Sequence, residues 1–268
     1  MSVLQRTVAR TTRGLPDIVR HYVERNVPPA ALNAPRVRFS EFGEMQLRPG
    51  RWSPFLAEQE MDADRVEFAW HAIFRAAPLV SLRVRDWYRA GAAGLDVRLW
   101  GVPVVRASGE DVARGEAMRY LAELVWVPQA FVWNRALEWR EVAESSVEVA
   151  TRVGCERVAV TLRFDEAGDI VAMSAERPRR VGKQVVDTPW SGVFGNYREL
   201  DGVRLPTTGE VSWLLPDGLF TYFRCTLTAW SAADGTIAAA CPLRRRDIEY
   251  GNDAWALNPS LKRGVVRP

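Results

Sequence analysis

Apolar and polar positions alternate with a period of two along most of this chain, and the alternation gives way to a helical period in only two places. Between Arg65 and Arg75, Val66, Phe68, Trp70, Ala72 and Phe74 share one face while Glu67, His71 and Arg75 take the other. That period marks a half-buried strand. Upstream, Val37 and Phe39 alternate with Arg36, Arg38 and Ser40, Pro49-Gly50 marks a turn, and Trp52 to Met61 reads as a second strand. Downstream, Pro78 separates a strand over Leu79 to Tyr88, in which Val80, Leu82, Val84, Asp86 and Tyr88 share a face. Gly91 and Gly94 turn the chain into Leu95 to Trp100, and Val102 to Ala107 ends the series. Residues 36 to 107 are therefore expected to form a meander of five or six antiparallel strands.

A second series begins at Val147 to Val153 and continues with Arg157 to Asp165. Glu166-Ala167-Gly168 is a hairpin turn into Ile170 to Ala175. Pro189-Trp190-Ser191-Gly192 and Phe194 to Leu200 follow, then the two-residue turn Asp201-Gly202 and Arg204-Leu205-Pro206. Glu210 to Leu215, Pro216-Asp217-Gly218 and Leu219 to Trp230 read as a last hairpin. Beyond Trp230 the periodicity is lost. The tail is expected to lie on the surface or be partly disordered, or else to close over a pocket.

The helical period appears first over residues 15 to 25, where Leu15, Ile18, Val19, Tyr22 and Val23 form one stripe and Pro16 suits a first-turn position. His21 falls among exposed positions, and Val27-Pro28-Pro29 stops the helix. The second helix follows Ser108-Gly109-Glu110-Asp111, which resembles a capping box with Ser108 as N-cap and Asp111 three residues on. It is expected to bury Val112, Met118, Leu121, Ala122 and Val125, to pair Arg119 with Glu123 four residues on, and to break at Trp126-x-Pro128. Phe131, Trp133 and Trp139 crowd the return. Two readings fit this helix: a plug filling one end of a curved sheet, or a lid over an apolar cavity with Arg119 and Glu123 at its mouth.

The fold expected is mainly β (α+β). It is a curved antiparallel half-barrel, with an N-terminal helix and a central helix plugging the concave side. The domain expectation is an N-terminal extension over 1–13, one half-barrel domain over 14–230 and an irregular C-terminal extension over 231–268.

Eleven tryptophans in 268 residues imply a large aromatic core, a wide apolar cavity, or both. The 36 basic and 33 acidic residues nearly balance, which argues against a nucleic-acid partner, and Arg244-Arg245-Arg246 is followed at once by Asp247 and Glu249. Cys155, Cys225 and Cys241 show no metal-ligand spacing and fit reduced thiols. With only His21 and His71, a site of three histidines is excluded, and Asp62-Ala63-Asp64 reads as an ordinary turn. No metal or cofactor is expected. Met1 to Arg13 holds no apolar run of secretory-signal length, and no stretch is long enough to span a bilayer. The expected location is the cytoplasm.

Several short motifs occur in a fixed order: Leu15-Pro16-Asp17-Ile18-Val19-Arg20-His21-Tyr22, Asp86-Trp87-Tyr88, Arg119-Tyr120-Leu121-Ala122-Glu123 with Trp126-x-Pro128, Phe164-Asp165 with Gly168, and Asp201-Gly202 before Leu205-Pro206. Together they resemble a family of uncharacterised bacterial proteins of unknown function over about residues 14 to 230. A more distant resemblance, in strand order and plugging helix, is to the Lol-type lipoprotein-carrier half-barrels. That resemblance implies a curved sheet around an apolar concavity that takes acyl chains. The periplasmic role of those carriers is not carried over, because no export signal is found, and neither resemblance supplies catalytic residues.

No Gly-x-Ser-x-Gly elbow, Rossmann fingerprint or Walker loop is present. The expected function is binding of a hydrophobic small molecule or lipid acyl chain in the concavity. The alternative is a cofactor-independent enzyme of cyclase or isomerase type acting on an apolar substrate there, with Arg119, Glu123, Asp86 or His71 supplying polarity. The ligand-binding candidates are Trp70, Asp86, Tyr88, Arg119, Glu123, Trp126 and Trp190. Asp86 is the odd member, a carboxylate in line with Leu82 and Val84. Either it reaches water or caps a turn, or it is buried and needs a donor or holds its proton.

Overall fold

The computed structural model describes residues 14–77 and 80–233. Six strands come first: β1 (Arg36–Arg48), β2 (Arg51–Asp62), β3 (Phe68–Ala77), β4 (Val80–Arg89), β5 (Ala92–Leu99) and β6 (Val102–Ser108). Seven follow the central helix: β7 (Glu138–Ala143), β8 (Ser146–Val153), β9 (Glu156–Phe164), β10 (Ile170–Val181), β11 (Gln184–Leu200), β12 (Val203–Leu215) and β13 (Gly218–Ala233). Both series belong to one sheet, in the order β6-β5-β4-β3-β2-β1-β13-β12-β11-β10-β9-β8-β7. The seam is β1 against β13, antiparallel from Arg36↔Ala233 to Met45↔Phe223. A bulge between Ser40 and Glu41 lies on this seam, and bulges bend and twist a strand locally.

The helices are α1 (Asp17–Asn26), α2 (Glu110–Ala122) and the single turn α3 (Ala130–Trp133), with 3-10 turns at Ala31–Asn33 and Glu123–Trp126. Pro16 stands at the N-cap of α1, one place before the first-turn position expected. The capping box does not form. Ser108 is the last residue of β6, paired with Gly94, and Gly109 occupies the N-cap of α2 with φ +110° and no side-chain cap. A sharp exit from an edge strand into a helix uses backbone that only glycine adopts without strain.

Helix α2 sets the shape of the sheet. It touches β4, β5 and β6 on one side and β8, β9 and β10 on the other. Those groups stand towards opposite ends of the strand order, so the sheet curls around the helix into a half-barrel. A helix enclosed this way has almost no wet face. Ala113, Gly115, Ala117, Met118, Tyr120, Leu121 and Ala122 are all buried, against the single stripe that a surface helix would show.

The two ends of the curl differ. At one end, Tyr22 of α1 packs on Phe131 (5.7 Å between ring centroids) and Phe164 (6.0 Å). Trp126 lies 5.6 Å from Phe39 and 5.7 Å from Phe194, donates its indole N–H to the Pro206 carbonyl at 2.9 Å, and accepts from the Trp230 indole at 2.8 Å. This end is closed. Towards the other end the inner face remains apolar but only half-buried, at Met45, Leu82, Val84, Val211, Trp213 and Phe223.

Three departures from the periodicity have physical reasons. β7 escaped notice because its positions are mostly exposed. β10 and β11 run longer than their apolar alternation, since their hairpin tip is exposed on both faces. β13 continues past Trp230 to Ala233 because β1 pairs with it there. The expectations for residues 1–13, Pro78, Leu79 and the tail beyond Ala233, including Cys241 and Arg244 to Arg246, lie outside the described residues.

The seam generates a test. A Cβ at Gly43, opposite Cys225, would sit 2.2 Å from the Arg224 carbonyl oxygen and 2.7 Å from the Phe55 ring. Gly43→Ala is expected to cost about 1–3 kcal/mol or more by overpacking. Thermal denaturation would show this as a drop of about 2–4 °C per kcal/mol.

Candidate functional site

A row of register partners on the inner face begins the site. Gln59 of β2 faces Trp70 of β3, which faces Asp86 of β4. Alternation brings these three side chains inward together with Glu41 of β1, two places past Phe39. Above the row, α2 presents Glu116 and Arg119, and the following turn presents Glu123. The spacing of three and then four residues keeps the three groups on one side of the helix.

Arg119 is the hub. Its Nη1 donates to Asp86 Oδ2 at 2.7 Å, its Nε to Glu123 Oε1 at 2.8 Å and its Nη2 to Gln59 Oε1 at 3.1 Å. Gln59 returns a hydrogen bond to Glu123. The guanidinium carbon lies 5.0 Å from the Phe68 ring and 5.0 Å from the Trp70 ring, where the negative ring faces attract a cation. The Trp70 indole donates to Glu41 Oε1 at 2.6 Å. On the far side, Arg177 of β10 donates to Glu116 Oε1 at 3.1 Å and to the Gly115 carbonyl at 3.1 Å. Arg177 also lies 4.6 Å from the Trp190 ring, whose N–H donates to the Tyr222 hydroxyl at 3.1 Å.

The protonation states follow from burial and proximity. Burial opposes the charge on Arg119, but Glu123, Asp86 and Glu116 outweigh it and hold the guanidinium more firmly protonated than usual. Glu116 is pushed up to about 8, first by burial and then by the charge of Asp86, against the pull of Arg177 and Arg119. Glu41 is raised above the usual carboxylate range by burial, with the Trp70 hydrogen bond opposing. Glu116 stands close enough to Asp86 to feel its charge. Asp86 Oδ1 and Glu116 Oε2 are buried and take no hydrogen bond among the described residues. Of the two readings left open for Asp86, the buried one is observed, with Arg119 as its donor.

Of the seven candidates, Trp70, Asp86, Arg119 and Glu123 meet in this cluster, and Trp190 joins it through Arg177. Trp126 does not; it belongs to the closed end. Tyr88 is buried opposite Phe68, two register steps from Trp70. His71 shares β3 with Trp70 but falls on the opposite, convex face, between Glu58 and Arg85. Burial and then Arg85 lower its pKa. Glu41, Gln59, Glu116 and Arg177 were not anticipated. Three had a signal: Glu41 continues the Val37–Phe39 alternation, Gln59 lies in the predicted second strand, and Glu116 stands three residues before Arg119. Arg177 had none, since its partners are some 60 residues away.

Two open clefts lie elsewhere. One, of about 390 Å³, opens on the convex side over Thr208, Glu210 and Arg224. The other, of about 490 Å³, lies between α1 and the β9–β10 turn, lined by Asp17, His21, Glu24 and Glu166. Neither is the hollow expected beneath α2, where the helix itself takes up the space. No group of three or more metal-ligating side chains occurs among the described residues, and no helix there is long and apolar enough to cross a membrane.

The fold and site thus define an antiparallel half-barrel closed on a helix that carries a buried ion cluster. The chain belongs to a family of unknown function (DUF6544), whose model matches residues 5–225. No curated protein matches it. Among solved structures it is similar to a LolA superfamily protein, NE2245, from Nitrosomonas europaea, at 10% identity and TM-score 0.44 over 82% of this chain and 93% of that one. It is also similar to a beta-barrel-like protein of domain of unknown function DUF1849 from Brucella abortus, at 9% identity and TM-score 0.28 over 75% of this chain and 98% of that one.

Two outcomes test the cluster. Arg119→Met removes the cation shared by Asp86 and Glu123 and should destabilise the fold by about 3–5 kcal/mol in denaturant titrations, the cost of stranding buried charge. Glu116 keeps its proton up to about pH 8 in the folded state, against a value of 4.5 when exposed. The folded chain binds the extra proton between those values, so this group's contribution is full below pH 4.5 and is lost as pH rises towards 8. The melting temperature should therefore fall across that window, and Glu116→Gln, which keeps the hydrogen bonds without titrating, should flatten the fall.

Proposed function

We propose that the half-barrel binds a hydrophobic small molecule or acyl chain on the half-buried part of its inner wall. In this reading α2 is a lid, and Arg119 and Arg177 set the polarity above the ligand. The observation that carries the reading is the contrast along the inner face. At the closed end Tyr22, Phe39, Trp126, Phe131, Phe164 and Trp230 are buried, whereas Met45, Leu82, Val84, Val211, Trp213 and Phe223 at the other end are only half-covered. An apolar wall met by a few convergent polar groups is the composition of a site for an apolar ligand.

Native mass spectrometry of the protein from its own host tests this. The expected result is an apolar adduct that solvent extraction removes and long-chain fatty acid restores, and that Leu82→Glu or Val211→Glu abolishes without unfolding. Bare protein that takes up no fatty acid would contradict it.

The buried Glu116 carboxyl, raised to about 8 beside Asp86 and bonded to Arg177, favours a second reading on the same wall. This is a cofactor-independent enzyme of cyclase or isomerase type, in which a carboxyl that holds its proton near neutral pH acts as general acid. Once a turnover is found, Glu116→Gln should abolish it while leaving ligand binding intact. Unchanged turnover would remove this reading.

A further inference from the structure

In an all-antiparallel sheet, alternate hairpin turns share one end of the strands. The β1–β2, β5–β6, β10–β11 and β12–β13 turns therefore lie at the same end as the half-buried inner wall. Each carries exposed apolar side chains: Leu47, Trp100 and Val102, Val181, and Leu214 with Leu219. Leu219 is 65% exposed and Trp100 is 72% exposed. Trp100 is also held at φ +49° in its turn, a conformation that a large side chain disfavours, so the ring is presented outward at some backbone cost. Soluble surfaces seldom gather this many apolar side chains on one rim unless something covers them.

The charges beside them identify the cover. Arg48 and Arg51 flank the first turn, and Arg180 and Lys183 flank the third. All four are exposed and pair with no carboxylate among the described residues. The β12–β13 turn adds one acid, Asp217. Tryptophan and aliphatic tips set among arginine and lysine match the interface of a bilayer bearing anionic headgroups, where rings sit at headgroup depth and basic groups meet the surface potential.

We propose that this turn-bearing rim docks on an anionic bilayer surface, with Trp100 and Leu219 inserted and Arg48, Arg51, Arg180 and Lys183 facing the headgroups. The open end of the concavity then faces the lipid. The inference does not require a ligand in the concavity. Vesicle binding by lipid-free protein would uphold it and leave the binding reading to mass spectrometry.

Flotation of the full chain with vesicles tests it. Vesicles of one part phosphatidylglycerol to two parts phosphatidylcholine should carry the protein upward, phosphatidylcholine alone should not, and added salt should release it. Trp100→Ser with Leu219→Ser, and separately Arg180→Glu with Lys183→Glu, should weaken partition by about tenfold each while leaving the melting temperature unchanged, since all four side chains are exposed. No flotation with anionic vesicles, or flotation untouched by both double variants, would overturn the proposal. So would sedimentation showing a dimer that the rim substitutions dissociate, because the cover would then be a second copy.

Discussion

Arg119 carries a full positive charge in contact with the rings of Phe68 and Trp70, inside a curl of sheet that offers little water. A charge so placed is tolerable only if anions and hydrogen-bond acceptors surround it. Asp86 and Glu123 provide the anions and Gln59 the acceptor, each from a different element. The guanidinium thus fixes where β2, β4 and α2 stand relative to one another. Arg177 repeats the arrangement through Glu116, from the other half of the sheet. Two cations and four carboxyls, counting Glu41, make this interior negative by two unless two protons are retained. Glu116 and Glu41 are the two whose pKa values are raised, so burial reduces the negative charge of the cluster by favouring protons on them.

This constraint bears on function through α2. A helix surrounded on nearly every side by sheet is normally held by large apolar side chains. Here the buried positions in the N-terminal half of the helix are Ala113 and Gly115, and Arg114, Glu116 and Arg119 tie it to β9, β10, β11 and β4 by ion pairs. Polar anchors at fixed points seat the N-terminal half, while Met118, Tyr120 and Leu121 pack the C-terminal half into the core. The apolar surface of the sheet is fully covered near Trp126 and Tyr22 and half-covered towards the hairpin tips. The half-covered wall and the apolar, basic rim lie at the same end. A binding site there would open where its ligand is most concentrated if that ligand comes from a bilayer.

Much of the fold was legible because strand alternation is a local property. The clean run from Phe68 to Phe74 sets the inner face of β3, and Asp201-Gly202 sets a turn, without reference to any distant residue. The joining of the two series into one sheet was less visible, because the β1–β13 seam pairs residues far apart in sequence. The failed capping box at Ser108 teaches a similar lesson: pairing with Gly94 claimed the serine for β6, and local capping chemistry lost to the sheet ladder. At the site, the Arg119–Glu123 pair and the odd position of Asp86 could be read from spacing of four and two. Glu116 shows the limit. Its importance comes from facing Asp86 across the helix–sheet interface, and nothing in a linear pattern reports which carboxyl will meet which.

The claim on which this account turns is that Glu116 holds its proton inside the buried cluster at physiological pH. Infrared difference spectroscopy of the folded protein at neutral pH tests it directly. The account predicts a carbonyl band of protonated carboxylic acid that Glu116→Gln diminishes. A spectrum with only ionised carboxylates at that pH, unchanged by that substitution, would contradict it.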